Sequence, residues 1–97
     1  MRLSQKIRGK INGRLFKECQ GFWSRVPISR FEMILKEYGV RLVNEDGTPF
    51  SAIFCGEDGK AEIEIANDSG EKVSNSLFVM TWHRFSTGRY EVNAYIT

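Results

Sequence analysis

The stretch that most constrains the fold is residues 28–40, ISRFEMILKEYGV, because it carries both the start and the stop signal of a helix. Ser29 followed three residues later by Glu32 matches a capping box, in which each side chain satisfies a free backbone N–H at the helix start. Gly39 suits the left-handed position that ends many helices. The sequence therefore predicts an amphipathic helix over residues 30–38. Its apolar stripe consists of Phe31, Ile34, Leu35 and Tyr38.

The segment before this helix, residues 1–27, has a second apolar stripe. Its members recur at every fourth position: Leu3, Ile7, Ile11, Leu15 and Cys19. Glycines oppose a helix here, since each costs up to about 1 kcal/mol in a helix interior, and Asn12-Gly13 is a dipeptide typical of hairpins. A hairpin centred there would, however, have no clean apolar face. We therefore predict a helix over about residues 4–19, either continuous or broken near Gly13, with Pro27 ending whatever precedes it.

After the second helix the apolar period changes from 3.6 to 2, which is typical of strands. Short strands are predicted at residues 40–44 and 60–66, and residues 50–55 show the same alternation. Residues 67–76 form a polar loop. The side chains expected to point inward from these strands are Phe50, Ala52, Phe54, Ala61, Ile63 and Ile65. Those expected to point outward from the 60–66 strand are Lys60, Glu62 and Glu64, a solvated strand face.

The last part of the chain predicts a hairpin with a defined register. Ser86-Thr87-Gly88 fits a three-residue loop with glycine in the left-handed position. This loop places Trp82 opposite Val92 and His83 opposite Glu91. One face of the hairpin is then apolar and the other mostly polar, a separation that a wrong register would not produce. The apolar face consists of Phe78, Met80, Trp82, Val92, Ala94 and Ile96.

These elements predict a single α+β domain over residues 1–97 with two layers. One or two N-terminal helices pack on an antiparallel β-meander of four to five strands. The apolar stripe of a helix and the apolar face of a sheet are both removed from water when they pack together. We expect the apolar side of the last hairpin to lie beneath the 30–38 helix.

The net charge of +2 hides an asymmetry along the chain. Residues 1–30 hold eight basic side chains and one acidic side chain, a net charge of +7, whereas residues 31–97 hold six basic and eleven acidic ones, a net charge of −5. The N-terminus lacks the apolar core of a signal peptide, and no apolar run approaches the roughly 20 residues that cross a bilayer. We therefore expect a cytoplasmic protein that does not act at a membrane.

The two cysteines, Cys19 and Cys55, are too few and too far apart for a disulfide framework or a zinc knuckle. Reduced thiols, no metal and no cofactor are the expectation. No phosphate-binding glycine loop or nucleophile elbow occurs in the chain.

Two surfaces are candidate binding sites. On the polar face of the last hairpin, His83 opposite Glu91 suggests an acid–base pair, although an ordinary solvated sheet face explains the same residues. In the N-terminal segment, cations suited to phosphates alternate with aromatic residues suited to base stacking. A competing interpretation places Phe16, Phe22 and Trp23 in the core. The hairpin candidates are Thr81, His83, Glu91, Asn93 and Tyr95. The N-terminal candidates are Arg8, Lys10, Arg14, Lys17, Trp23 and Arg25.

The absence of a catalytic motif favours a small non-enzymatic interaction module that associates with itself as a homodimer. The C-terminal strand, residues 89–97, would offer an open edge to a second copy unless the N-terminal segment covers that edge. Nucleic-acid binding, or binding of an acidic protein, through residues 2–30 is the main alternative. An enzyme that uses His83 and Glu91 as an acid–base pair is a third hypothesis.

Overall fold

The computed structural model describes all residues from 1 to 97 and confirms the predicted α+β arrangement, with two helices and four strands. The strands form one antiparallel sheet in the order β1-β2-β3-β4, and the helices pack on one face of it. The elements are α1 (Gln5–Glu18), α2 (Ile28–Glu37), β1 (Val40–Val43), β2 (Asp58–Asn67), β3 (Phe78–Arg84) and β4 (Tyr90–Ile96).

Helix α1 is continuous, so the predicted helix is confirmed and the break considered near Gly13 does not occur. The hydroxyl of Ser4 accepts a hydrogen bond from the backbone N–H of Ile7 and caps the helix. A Cβ atom added at Gly13 would meet nothing within 4 Å, because this residue faces solvent. Burial of the opposite side of α1 outweighs the low helix propensity of glycine. The fully buried residues there are Ile11 and Leu15.

Helix α2 is confirmed, but its predicted capping box is wrong. The helix begins at Ile28, and Pro27 occupies the N-cap position without a side-chain cap. The carbonyl of Pro27 accepts hydrogen bonds from the backbone N–H groups of Arg30 and Phe31, so Ser29 already lies inside the first turn. At the other end Gly39 adopts the predicted left-handed conformation, with φ of +71°.

The core is one cluster shared by both helices and the sheet, in which α1 lies along β4 and α2 lies beside β1. The predicted contact between the stripe of α2 and the apolar face of the β3–β4 hairpin is confirmed at Phe31 and Phe78. The rings of Phe31 and Phe78 lie 6.0 Å apart, centroid to centroid. The register is the predicted one, with Trp82 opposite Val92, and Gly88 in the connecting loop has a φ of +86°. Trp82 packs against the core, whereas His83 on the opposite face is exposed.

The fifth strand suggested for residues 50–55 does not form, so the sheet has four strands. Only part of the predicted alternation holds: Phe50 and Phe54 are half-buried against the core, whereas Ala52 is exposed and Ile53 is 93% exposed. The Phe54 ring lies 6.1 Å from that of Phe50 and 5.1 Å from that of Trp82. These aromatic contacts hold the segment in place without a strand ladder.

The N-terminal segment covers the outer edge of β4, which was one of the two predicted alternatives. Trp23 and Tyr90 exchange two backbone hydrogen bonds, of 2.9 and 2.7 Å. At the other end of the strand the Asn12 side chain donates to the carbonyl of Ile96 at 2.9 Å and accepts from its N–H at 2.6 Å. An uncovered strand edge tends to pair with another chain, and this one is closed at both ends.

Candidate functional site

The solvent side of α1 carries unpaired positive charge. Lys6, Lys10 and Lys17 are exposed, and no carboxylate forms an ion pair with any of them. At a rise of about 1.5 Å per residue, these three lysines extend over about 16 Å of the helix surface. Phe16, which is 68% exposed, lies on the flank of this solvent side, about 80–120° around the helix axis from the three lysines. We call Lys6, Lys10, Phe16 and Lys17 the basic face of α1.

The aromatic residues of the N-terminal segment do not all enter the core. Phe16 and Phe22 are 68% and 60% exposed, so the interpretation that places them in the core is wrong, whereas Trp23 is half-buried against the core. Phe22 packs edge-on against Phe85 of the β3–β4 loop, with ring centroids 5.3 Å apart. The apolar stripe of α1 is complete without these two rings, because Leu15 and Cys19 take the buried positions.

Two of the predicted basic residues serve the fold rather than a surface. Arg8 curls back and donates to the carbonyl of Leu3 at 3.4 Å, and its Nε is buried. Arg14 bonds to Glu37 of α2 at 2.5 Å, and this hydrogen bond raises the pKa of the guanidinium above its ordinary value. Lys10 and Lys17, by contrast, are free. Lys6 was not among the predicted site residues, although its helical spacing from Lys10 would have placed it there.

A cleft of about 440 Å³ lies between residues 23–30 and the loop at residues 52–54. Arg25 and Arg30 line it together with apolar side chains, and no acidic residue does. Arg30 lies over the Trp23 ring, 5.2 Å from its centroid, and bonds to Glu18 at 2.9 Å. Arg25 is exposed and has no ion-pair partner.

The polar face of the last hairpin gathers the predicted residues on the outer side of the sheet. Thr81 lies opposite Asn93 and His83 opposite Glu91, and Tyr95 is 46% exposed. These cross-strand positions were predicted from the register of the β3–β4 hairpin, and that register is confirmed.

The predicted pair between His83 and Glu91 is wrong, since Nδ1 of His83 bonds to Asp58 of β2. The two carboxylates flank His83 from neighbouring strands, and the sequence did not reveal which residue of β2 lies opposite it. The imidazole of His83 also packs edge-on against Phe85, with ring centroids 4.7 Å apart. His83 is exposed on the outer face of the sheet, and acid–base catalysis there stays a prediction.

Two lysines at the outer face of the sheet are neutralised by carboxylates of β2. Lys60 pairs with Glu62 at 3.2 Å and Lys72 pairs with Glu64 at 2.8 Å. Arg41 of β1 is exposed and has no carboxylate partner; it donates to the backbone carbonyls of Asn67 and Asp68.

Burial raises the pKa of the Cys19 thiol, and Cys55 is exposed. No group of three His, Cys, Asp or Glu side chains converges in an arrangement suited to a metal ion. Neither helix has the length and apolar character needed to cross a membrane.

No protein-family model, curated protein or solved structure matches the chain.

Proposed function

We propose that this protein is a non-enzymatic interaction module that binds nucleic acid through the basic face of α1. The observation that carries the proposal is the combination of unpaired lysines with a large exposed aromatic ring, Phe16, on the solvent-exposed surface of one helix. Lysines neutralise backbone phosphates, and an aromatic ring offers a stacking surface that any base can use. The second exposed ring, Phe22, lies in the segment between α1 and α2.

The distribution of ion pairs supports this surface over the outer face of the sheet. On the sheet, Lys60 and Lys72 are bound to carboxylates of β2, so their charge is already neutralised. On α1, the charges of Lys6, Lys10 and Lys17 have no counterpart in the protein. A polyanion supplies that counterpart.

Self-association remains a prediction that this proposal does not need. Its main motivation was an open edge at the C-terminal strand, and the backbone of Trp23 and the side chain of Asn12 cover that edge. The closed edge makes the basic face of α1 the better-supported contact surface.

The salt dependence of binding tests the proposal quantitatively. Three lysines that neutralise three phosphates of a single strand give a slope of log K against log salt of about −2. A fourfold increase in salt should then weaken binding about 20-fold. Fluorescence anisotropy with a labelled mixed-sequence DNA strand measures this slope directly. Binding that does not change with salt would contradict the proposal.

Charge-matched variants locate the surface. Lys6→Gln combined with Lys10→Gln should reduce the salt slope by roughly two-thirds. Lys36→Gln combined with Lys60→Gln removes the same charge from α2 and the sheet and serves as the control. An equal reduction in both double variants would mean that net charge, rather than this face, governs binding.

A second pair of variants tests the contribution of the Phe16 ring. Phe16→Ala should weaken binding by about 1–3 kcal/mol if a base stacks on the ring. Met33→Ala removes a side chain of similar exposure, 69%, from α2 and should have no effect. An oligoglutamate that displaces the DNA at equal charge concentration would instead identify an acidic protein as the partner.

A further inference from the structure

The cleft between residues 23–30 and 52–54 has the composition of a ligand site. Its volume of about 440 Å³ lies within the range of small-molecule pockets, and its walls are mostly apolar with two arginines. The apolar walls include Val26, Ile28 and Phe54. Ile53, which lines the cleft, is 93% exposed, so its side chain is open to a ligand.

The electrostatics of the cleft favour an anion. Arg25 contributes an unpaired positive charge, Glu18 neutralises the charge of Arg30, and no lining residue is negative. Glu18, which bonds to Arg30, is not part of the lining. Arg25 has no carboxylate partner and is therefore free to meet a phosphate.

The cleft also offers a planar stacking surface. The guanidinium of Arg30 lies over the Trp23 ring, and the hydrogen bond to Glu18 restrains it there. The Arg30 side chain remains 60% exposed, so part of it is still open to a ligand. Unpaired bases stack on guanidinium planes as well as on aromatic rings.

We propose that this cleft holds one unpaired base of a bound single strand, with Arg25 contacting the phosphate next to that base. The base stacks on Arg30 and covers Ile53. A duplex has no base free to enter the cleft, so the site makes the protein prefer single-stranded nucleic acid. This inference rests on the proposed function, and it adds a specificity that the lysines of α1 do not supply.

The test compares one short oligothymidylate with a duplex of equal charge, both titrated against the full chain by fluorescence anisotropy. Arg25→Gln and Ile53→Ser change exposed side chains, so both variants should fold. Each should lower the ratio of single-strand to duplex affinity about fivefold or more. The controls are Arg84→Gln and Met33→Ser, which remove an exposed arginine and an exposed apolar side chain elsewhere and should leave the ratio unchanged.

The indole N–H resonance of Trp23 provides a second readout, because it should shift when the oligothymidylate binds and not when the duplex binds. If the ratio of single-strand to duplex affinity is unchanged in both cleft variants while binding still depends on Lys6 and Lys10, the proposed role of the cleft is wrong. The proposed function is then unaffected. If Arg25→Gln weakens single-strand and duplex binding equally, Arg25 acts only through its charge. The proposed role of the cleft is then also wrong. If the unmodified chain binds neither strand nor duplex, the proposed function fails as well.

Discussion

The hydrogen bonds between Asn12 and Ile96 give the sharpest prediction about what holds this fold together. The amide of Asn12 meets both the N–H and the carbonyl of Ile96, at 2.6 and 2.9 Å, and so imitates a paired strand at the edge of β4. This contact joins two positions 84 residues apart in the chain. Asn12→Ala removes donor and acceptor together and leaves both partly buried backbone groups of Ile96 without a partner.

The expected loss of stability follows from these two groups. An unsatisfied buried polar group costs about 1–3 kcal/mol, and partial access of water puts both groups near the lower end of that range. Alanine is a better helix former than asparagine by about 0.5 kcal/mol, which offsets part of the loss. The net decrease in the free energy of unfolding should be about 1.5 kcal/mol. In urea this lowers the unfolding midpoint by about 0.5–1.5 M.

The control for this measurement is Asn93→Ala. It removes an exposed asparagine of β4 whose side chain makes no hydrogen bond. The free energy of unfolding should change by no more than about 0.5 kcal/mol. Hydrogen exchange of the Ile96 amide provides the local readout, since it should quicken in Asn12→Ala. A loss below about 0.5 kcal/mol with a still-protected Ile96 amide would refute the claim that this side chain closes the edge.

Three further predictions test packing, thiol chemistry and charge. Gly59→Ala should destabilise the protein by about 1–3 kcal/mol in thermal or urea unfolding, because the added Cβ would lie 2.1 Å from the ring of Trp82; a neutral effect would mean that the ring moves freely. Of the two thiols, Cys55 should react with a thiol reagent in the native protein and Cys19 only after unfolding, and rapid reaction at both positions would contradict the burial of Cys19. Hydrogen bonds from within its own turn lower the pKa of the Asp46 carboxyl, chiefly the bond from a threonine hydroxyl, so the charged form is favoured in the folded state. The stability that Asp46 contributes should be fully present above its unfolded pKa and should disappear as the pH falls below about 4, so that thermal melts of Asp46→Ala and the unmodified chain converge in acid.

The elements that local patterns govern were predictable from the sequence. The β3–β4 register follows from the loop at residues 86–88 and from the requirement that apolar side chains share a face, and both constraints act within about twenty residues of chain. Helix α2 is specified by its apolar stripe and by Gly39, so the helix was found although its capping box was not. The N-cap was missed because the backbone of Pro27 starts the helix two residues earlier.

The candidate site was only partly predictable. Helical spacing identifies which lysines of α1 share a side, but it does not show that Arg14 is bound to Glu37 and Arg8 to a backbone carbonyl. The exposure of Phe16 was unexpected because a large apolar side chain normally favours the core. The cleft at Arg25 could not be found at all, since its walls come from segments separated by more than twenty residues.

The amino-acid sequence by itself determined the α+β class, the two helices, the hairpin register and the concentration of positive charge at the N-terminus, because each depends on spacing within one element. Only the tertiary structure decided that Asn12 and Trp23 close the edge of β4, that His83 meets Asp58, and that residues 50–55 pack by aromatic contacts without joining the sheet. These outcomes depend on which distant groups compete for the same partner. Contacts between distant groups form only when the helices pack on the sheet, and the spacing of residues within one element does not determine them.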